Sequence, residues 1–413
     1  MATSLAASRA LYQRQVRHLF VLYLHVIAAY CMAGSPRGNG GVRTVHTTIF
    51  SGGTFLQYWL RPAAARAFPE LFRVNQSTFR ALYDLLITHT QLAGSKHVSS
   101  HEKVASFLYI CGQDASLRAA AHLFGRSPDT TRRNFHEVLR AMMRLHVAFV
   151  TLPDVSDVVW PDCRRQEVQE AFAGCLGAVD GTLINAKVAA EEGVVWRSRK
   201  GPTAQNVMAA VDHRGRFVSV TAGIEGLVHD SQAFREALAR GFVVPGGYYY
   251  VGDAGFGLGQ GVITPYGATK YHLQEQGFAR PETPEELFNL HHAKIRVRVE
   301  RSFGELKNRW KIVRGPGPSY SIRTQISIVL AVTALQNFIW EREFRASPAS
   351  NPGFKPITNA GGNALERSRV WREAVARAQQ IGTTQASWIQ YRTWIARRLW
   401  QDYQVYRARE DTQ

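Results

Sequence analysis

Three short stretches of this chain each place one carboxylate at the end of an apolar run. Residues 174–182 read GCLGAVDGT and contain Asp180, and residues 248–256 read YYYVGDAGF and contain Asp253. Residues 296–310 read RVRVERSFGELKNRW and contain Glu300 beside apolar residues at helical spacing. The first two runs predict buried strands and the third predicts an amphipathic helix. We expect these elements to bring the three carboxylates together.

Each carboxylate has an ordinary interpretation when it is taken alone. Asp180-Gly181 is a strong hairpin signal, and Asp253 can simply begin a loop. Glu300 beside an apolar stripe is usually solvated or ion-paired. All three, in this order and context, instead predict an acidic site that holds divalent metal, Mg²⁺ or Mn²⁺. Two such ions about 3.5–4 Å apart support phosphodiester cleavage, because they activate water and stabilise the leaving oxygen.

The charge balance indicates a polyanionic partner. Lys and Arg number 50 against 32 Asp and Glu, a net charge of +18 with a pI near 10.1. Nucleic acid is the commonest partner of such a chain, although a basic protein can also be merely soluble. Hydrophobic residues at 45% describe a globular protein, and 413 residues predict two or three domains.

Cysteine usage and one apolar segment bear on the compartment. The four cysteines are widely spaced, which argues against a zinc site or a disulfide scaffold and fits a reducing compartment. Residues 19–33 are almost wholly apolar and follow three arginines, so they resemble a signal peptide or a membrane helix. The segment is shorter than the roughly 20 residues that span a membrane, and His25 lies in its middle. We therefore expect a buried helix and no membrane partner.

Residues 116–139, SLRAAAHLFGRSPDTTRRNFHEVL, predict a helix-turn-helix. Gly125 suits a helix C-terminus, Ser127 an N-cap and Pro128 the first helical position. Arg132 and Arg133 then lie on the open side, where a second helix can enter a major groove. The alternative is an ordinary helical hairpin with solvated arginines. Upstream, residues 99–102 fit a capping box.

The periodicity along the chain predicts five regions. Residues 1–50 form a helical segment with a flexible link, and residues 51–150 form the all-α helix-turn-helix domain. Residues 170–345 form a domain in which strands at 175–179, 183–188, 205–211, 217–221 and 248–252 make a central sheet flanked by helices at 230–240 and 289–311. Residues 281–290 read as an insertion. Residues 346–363 are a linker, and residues 364–413 are a helical tail.

Two basic clusters flank the acidic stretches. Arg197, Arg199 and Lys200 lie between predicted strands and suit phosphate contacts. Lys307 and Arg309 extend a basic face beyond Glu300. A charge run is more often a solvated face, and only the acidic residues nearby favour DNA contact here.

Six blocks carry a resemblance to a known family. They are residues 178–182 (AVDGT), 196–201 (WRSRKG), 205–207 (QNV), 223–231 (GIEGLVHDS), 251–256 (VGDAGF) with 264–266 (TPY), and 299–310 (VERSFGELKNRW). As a set they resemble the PIF/Harbinger group of DDE transposases and the domesticated nucleases related to it. One departure is Phe256, where the family more often has tyrosine.

The resemblance implies an RNase H-like catalytic domain whose acidic triad falls on Asp180, Asp253 and Glu300. It also implies that Asp230 is a further acidic residue beside the metals, while a helix N-cap is the alternative role for Asp230. The implied activity is a metal-dependent DNA endonuclease; in a full transposase the freed 3′-hydroxyl then attacks target DNA. The alternative is a catalytically idle DNA-binding regulator that uses the helix-turn-helix. A nuclear location, a separate DNA-binding accessory protein and a homo-oligomer accompany the DNA-acting interpretation.

Overall fold

The computed structural model describes residues 51–152, 166–198, 201–259, 261–267, 269, 280–346 and 384–410. The apolar segment 19–33, Cys31 and Cys163 lie outside these residues, as do Arg199 and Lys200. The helices that precede the sheet are α1 (Gly52–Trp59), α2 (Phe68–Phe72), α3 (Gln76–His89), α4 (Ser100–Gln113), α5 (Leu117–Leu123) and α6 (Pro128–Phe149).

The start of α4 differs from a capping box. The Ser99 hydroxyl accepts a hydrogen bond from the backbone N–H of Glu102 at 3.2 Å, as expected for the cap. The Glu102 carboxylate, however, accepts two hydrogen bonds from Arg126, at 2.7 and 2.8 Å. Half of the predicted box is therefore wrong, because a buried carboxylate gains more from a bidentate guanidinium than from one backbone donor.

The connection between α5 and α6 has the local features that the sequence predicts. Gly125 has a φ of 59°, and Ser127 caps α6 by accepting from the backbone N–H of Thr130 at 3.1 Å. Pro128 is the first helical residue. Phe135 is buried on α6, and its ring stacks on Tyr320 with centroids 5.2 Å apart. One face of α6 is thereby packed against the following domain.

A five-stranded mixed sheet forms the centre of that domain. Its strands are β1 (Cys175–Asn185), β2 (Ala204–Val211), β3 (Phe217–Glu225), β4 (Tyr249–Val251) and β5 (Val262–Ile263), in the order β3-β2-β1-β4-β5. β1, β2 and β3 pair antiparallel, whereas β4 runs parallel to β1 and to β5. This mixed sheet with helices on its faces is consistent with the RNase H-like fold that the resemblance implies.

β1 is longer than the sequence predicts. The two predicted runs are joined through Asp180, which pairs with Ala209, and Gly181, which pairs with Met208. The hairpin interpretation of Asp180-Gly181 is therefore wrong. A glycine inside a strand often marks a close approach by a neighbouring group. Gly181 is such a glycine, because the Asp230 carboxylate packs against it.

The remaining helices surround the sheet. They are α7 (Gln166–Ala171), α8 (Gly193–Trp196), α9 (Asp230–Ala239), α10 (Pro284–Arg309), α11 (Ile322–Ala346) and α12 (Gln385–Glu410). α10 begins earlier than predicted, because Thr283 caps it with Pro284 at its first position. Most of the expected insertion at residues 281–290 is therefore helix.

The two faces of the sheet carry different helices. Side chains alternate along a strand, so Val179, Gly181 and Leu183 share one face while Asp180 and Thr182 share the other. On the first face, Val179 and Met208 pack in a core with Phe234 of α9. On the second face, Lys307 of α10 donates to the Thr182 hydroxyl at 2.7 Å. Asp180 therefore faces the α10 side.

Two contacts tie the outer elements to the sheet. The side-chain amide of Asn337 on α11 donates to the backbone oxygens of Phe149 and Phe217, at 2.8 and 2.7 Å, and so joins the end of α6 to β3. Arg392 on α12 donates to the backbone oxygens of Thr264 and Pro265, beside the short edge strand β5. Covering an edge strand removes a surface on which other chains can pair.

One helix in the described part of the chain is long and apolar enough to cross a membrane, at Ile322–Glu343. About two thirds of its apolar stretch (67%) is buried inside the protein. Ile328, Val332, Leu335 and Ile339 are almost completely covered. This burial is typical of the core helix of a globular domain.

Candidate active site

Asp180 lies inside β1, where it is held by its own strand. The backbone N–H of Gly181 donates to Asp180 Oδ1 at 2.8 Å. The following segment of β1 approaches α10, since Lys307 donates to both the Thr182 hydroxyl and the Leu183 backbone oxygen. The carboxylate is therefore fixed between the sheet and α10 rather than on a mobile loop.

Asp253 follows the end of β4 at the level of Asp180. β4 runs parallel to β1 with Val251 opposite Ala178, and each aspartate lies two residues further along its own chain. The backbone N–H of Gly255 donates to Asp253 Oδ1 at 2.9 Å, which makes Asp253 the cap of a short turn. Parallel pairing thus brings together two carboxylates that are more than seventy residues apart in sequence.

Asp230 joins these two from the other side of β1. It is the first helical residue of α9, and the N-cap is His229, so the N-cap alternative for Asp230 is wrong. A Cβ placed on Gly181 would lie 2.9 Å from Asp230 Oδ1, and one placed on Gly255 would lie 3.4 Å from Asp230 Oδ2. The absence of side chains at these two glycines lets the Asp230 carboxylate approach Asp253 and the β1 backbone next to Asp180.

Glu300 is linked to Asp180 by an arginine that interacts with both carboxylates. It lies on α10 with 45% of its side chain exposed, and it forms an ion pair with Arg296 at 2.5 Å. The Arg296 side chain is only 13% exposed, and its charge lowers the pKa of Asp180. In the described part of the chain, no three His, Cys, Asp or Glu side chains are close enough to one another to hold a metal ion. Asp230 and Asp253 nevertheless lie within electrostatic reach of Asp180, and Arg296 interacts with both Asp180 and Glu300.

The electrostatics of Asp180 show how poorly this negative charge is compensated. Burial raises the pKa of Asp180 to about 7, the N–H of Gly181 lowers it, and the charge of Asp253 raises it again. Arg296 lowers this pKa and Asp230 raises it, both by smaller amounts. Because burial and neighbouring like charge oppose ionisation, a cation placed here would relieve both costs.

The chemistry of the donor set fits such a cation. Asp180, Asp230 and Asp253 offer hard oxygen ligands of the kind that Mg²⁺ and Mn²⁺ prefer. Because Gly181 and Gly255 lack side chains, oxygens of Asp230 and Asp253 pack directly against the backbone here. Asn206 on β2 adds a buried amide oxygen that has no hydrogen-bond partner. A cluster of acidic oxygens beside an unsatisfied amide oxygen suits a divalent ion.

The residues predicted to contact DNA have varied surroundings. Arg132 and Arg133 are exposed on α6, and both pair with Asp129, at 3.0 and 2.6 Å. Arg197 is exposed next to β2.

Lys307 and Arg309 are engaged within the chain. Lys307 is partly buried and bonded to β1, and Arg309 pairs with Glu343 at 3.3 Å. Lys307 therefore acts at least as a tie between α10 and the sheet, and its contact with DNA remains a prediction.

Sequence reasoning missed two residues of this region. Arg296 precedes Glu300 by four positions, the spacing at which helical side chains meet, so the sequence itself predicts this ion pair. Asn206 and its neighbour Gln205 are the two polar residues of an otherwise apolar strand run, and the sequence does not show what either side chain faces. The exposed arginines Arg140 and Arg144, further along α6, were also missed.

The fold and the acidic group agree with two family matches. Residues 179–337 match the model described as DDE superfamily endonuclease, and residues 47–144 match a domain of unknown function, DUF8040. The chain thus carries a DDE superfamily endonuclease domain, which confirms the family predicted from the six sequence blocks.

Among individual proteins, the chain is similar to "Protein ALP1-like" of Arabidopsis thaliana. The two are 23% identical over 275 residues, which cover 60% of this chain and 64% of the relative. The match therefore spans less than two thirds of that protein's length. No solved structure matches the chain.

Proposed function

We propose that this chain is a divalent-metal-dependent DNA endonuclease of the DDE type. The observation that supports this most is the convergence of Asp180, Asp230 and Asp253 around two glycines, inside the domain that matches the endonuclease model. The net charge of +18 supports DNA as the substrate. Attack by the freed 3′-hydroxyl on target DNA, as in a full transposase, is a further part of the proposal.

The proposed ligands have separable roles. Asp180 and Asp253 hold the divalent ions, Mg²⁺ or Mn²⁺, from adjacent parallel strands, and Asp230 supports them from α9. When bound, the ions supply charge relief at the phosphoryl oxygens and a water of lowered pKa. Gly181 and Gly255 let the Asp230 and Asp253 carboxylates lie directly against the backbone. Glu300 completes the acidic set from α10, where it forms an ion pair with Arg296.

A nicking assay on supercoiled plasmid with Mg²⁺ or Mn²⁺ tests the proposal. We expect Asp180→Asn and Glu300→Gln each to abolish metal-dependent nicking. Glu305→Gln is the matched control, since Glu305 is an exposed carboxylate on the same helix. Nicking that survives both site substitutions would contradict the proposal and indicate a contaminating nuclease.

A second candidate function is a catalytically idle DNA-binding regulator. The observation that favours it is the exposed face of α6, which carries Arg132, Arg133, Arg140 and Arg144. Calorimetry separates the two functions: the well-folded wild type should take up Mn²⁺ if it is a nuclease and none if it is an idle regulator. A nuclear location, a separate DNA-binding accessory protein and a homo-oligomer are proposed along with either DNA-acting role.

A further inference from the structure

Asn206 is an unusual residue for its position. It lies in β2, every residue of which is buried, and only 4% of its surface is exposed. Its neighbour Gln205 is equally buried, but the Gln205 side-chain oxygen accepts from the backbone N–H of Gly223 at 3.1 Å. Asn206 Oδ1 has no hydrogen-bond partner. A buried amide oxygen without a donor is uncommon in a folded protein and requires a physical reason.

The orientation of the Asn206 amide is fixed by its other end. Its side-chain nitrogen donates to the backbone oxygen of Val228 at 3.3 Å. Exchanging the two amide atoms would place one oxygen against another, so the hydrogen bond determines which atom faces the site. The loop that leads into α9 therefore holds Asn206 with Oδ1 directed away from Val228.

The unsatisfied oxygen borders the same space as Asp230. A Cβ added to Gly181 would lie 3.1 Å from Asn206 Oδ1 and 2.9 Å from Asp230 Oδ1. The two oxygens thus flank the point where any residue other than glycine would place its side chain. The other oxygen of Asp230, Oδ2, lies toward Gly255. The backbone N–H of Gly255 in turn donates to Asp253 Oδ1. Asn206 therefore extends the row of oxygens that Asp253 and Asp230 form.

We propose that Asn206 supplies a neutral oxygen ligand for a divalent cation held with Asp230 beside Gly181. This proposal rests on the proposed endonuclease function and adds a ligand to its site. An amide oxygen is a hard donor of the kind that Mg²⁺ and Mn²⁺ accept. Because it carries no charge, it adds a ligand without adding repulsion to Asp180, Asp230 and Asp253.

The alternative role of Asn206 is structural, namely to hold Val228 and the start of α9. Gln205→Met is the matched control for this alternative. It removes a buried side-chain amide with a comparable hydrogen bond from the adjacent position of the same strand, and its side chain points to the other face of the sheet. A structural role for Asn206 predicts that Asn206→Leu and Gln205→Met behave alike.

Titration calorimetry with Mn²⁺ alone, on the full chain, tests the proposal. We expect Asn206→Leu to weaken Mn²⁺ binding by about tenfold or more while Gln205→Met retains wild-type affinity. Gly181→Ala is the second variant: it keeps Asn206, but its methyl group would displace the Asp230 and Asn206 oxygens, and it should weaken binding similarly. Circular dichroism and the unfolding midpoint verify that each variant is folded.

The outcomes distinguish this inference from the function on which it rests. If Asn206→Leu and Gly181→Ala both bind Mn²⁺ like the wild type while Asp253→Asn does not, the role of Asn206 is overturned and the endonuclease proposal stands. Equal weakening by Asn206→Leu and Gln205→Met overturns the ligand role in favour of the structural one. If the wild type itself binds no Mn²⁺, both proposals fail.

Discussion

Two carboxylates in this molecule lie in opposite electrostatic situations. Glu102, in the helical region, is 2% exposed and is held by both arms of the Arg126 guanidinium. Asp180, in the sheet, is partly buried beside two further aspartates, and its pKa is raised to about 7. The first carboxylate is matched by a cation of the chain itself and supports the fold. The second is left in the company of like charges, which costs stability and favours the uptake of an external cation.

Breaking the matched pair should give the largest effect. Arg126→Met leaves the Glu102 carboxylate buried without its cation, and removal of one partner from a buried pair typically costs about 3–5 kcal/mol. We expect a loss of this size in the free energy of unfolding, measured by urea denaturation. The pair also contacts α1, since a side chain at Gly52 would collide with the Glu102 carboxylate.

Arg133→Met is the control for this variant. Arg133 pairs with Asp129 at 2.6 Å, but both side chains are more than half exposed. Exposed ion pairs contribute little because water screens them, so the urea midpoint should hardly change. A similarly small change for Arg126→Met would show that the buried Glu102–Arg126 pair stabilises the fold no more than an exposed ion pair does.

Replacing Asp180, the unmatched carboxylate, should raise the free energy of unfolding rather than lower it. The pKa of Asp180 is raised by burial, so the folded protein holds a proton there that the unfolded chain releases between the ordinary value of 3.8 and about 7. Stability is therefore lost as pH rises through that window, and the full cost is present above pH 7. Asp180→Asn should stabilise the protein by on the order of 2 kcal/mol in EDTA at pH 8.

The pH dependence and the response to metal make this prediction specific. The gain from Asp180→Asn should shrink toward zero as pH approaches 4, where the carboxyl is protonated in both states. Added Mn²⁺ should raise the melting temperature of the wild type more than that of the variant, because a ligand that binds only the folded state stabilises it. A variant that is less stable than the wild type at pH 8 in EDTA would contradict the electrostatic description of the site.

This contrast also explains what the sequence could and could not predict. The sequence predicts Asp180, Asp253 and Glu300 because each ends an apolar run or borders an apolar stripe, and burial along a strand or helix is a local pattern. The turn at Gly125 and the Ser127 cap were predicted for the same reason, since their backbone requirements involve only nearby residues. Whether a buried carboxylate is paired with a cation of the chain depends on contacts between distant segments. Residue 102 meets residue 126 only after two helices have packed.

The errors have the same physical origin. Asp180-Gly181 has the composition of a hairpin, but pairing with β2 and β4 overrides that local preference and continues the strand. The Ser99–Glu102 box fails because Arg126, twenty-four residues away, offers a better partner. The ion pair of Glu300 with Arg296 follows a helical spacing that is visible in the sequence. The proximity of Arg296 to Asp180 requires the sheet to be in place.

Removing Arg296 should leave the Asp180 carboxylate with less compensating positive charge. Arg296→Gln deletes the cation that pairs with Glu300 and lowers the pKa of Asp180. A chain cation and a metal ion compete for the same negative charge, so Mn²⁺ affinity measured by calorimetry should rise by about threefold to tenfold, on the order of 1 kcal/mol. Arg301→Gln, an equal charge change at an exposed position of α10, should leave the affinity nearly unchanged. Weaker Mn²⁺ binding in Arg296→Gln would instead mean that Arg296 positions Glu300 as a ligand.

The smallest effect concerns the surface of the helical region, where the same distinction between matched and unmatched charge applies. Arg132 and Arg133 share Asp129, whereas Arg140 and Arg144 form no ion pair within the described part of the chain. Each phosphate contact that is lost should lower the slope of log affinity against log salt by about 1. Arg140→Ala with Arg144→Ala should therefore reduce that slope on duplex DNA more than Arg132→Ala with Arg133→Ala, because no carboxylate already neutralises the first pair. Equal reductions would indicate that DNA displaces Asp129, and no reduction from either pair would place the DNA on another face of the molecule.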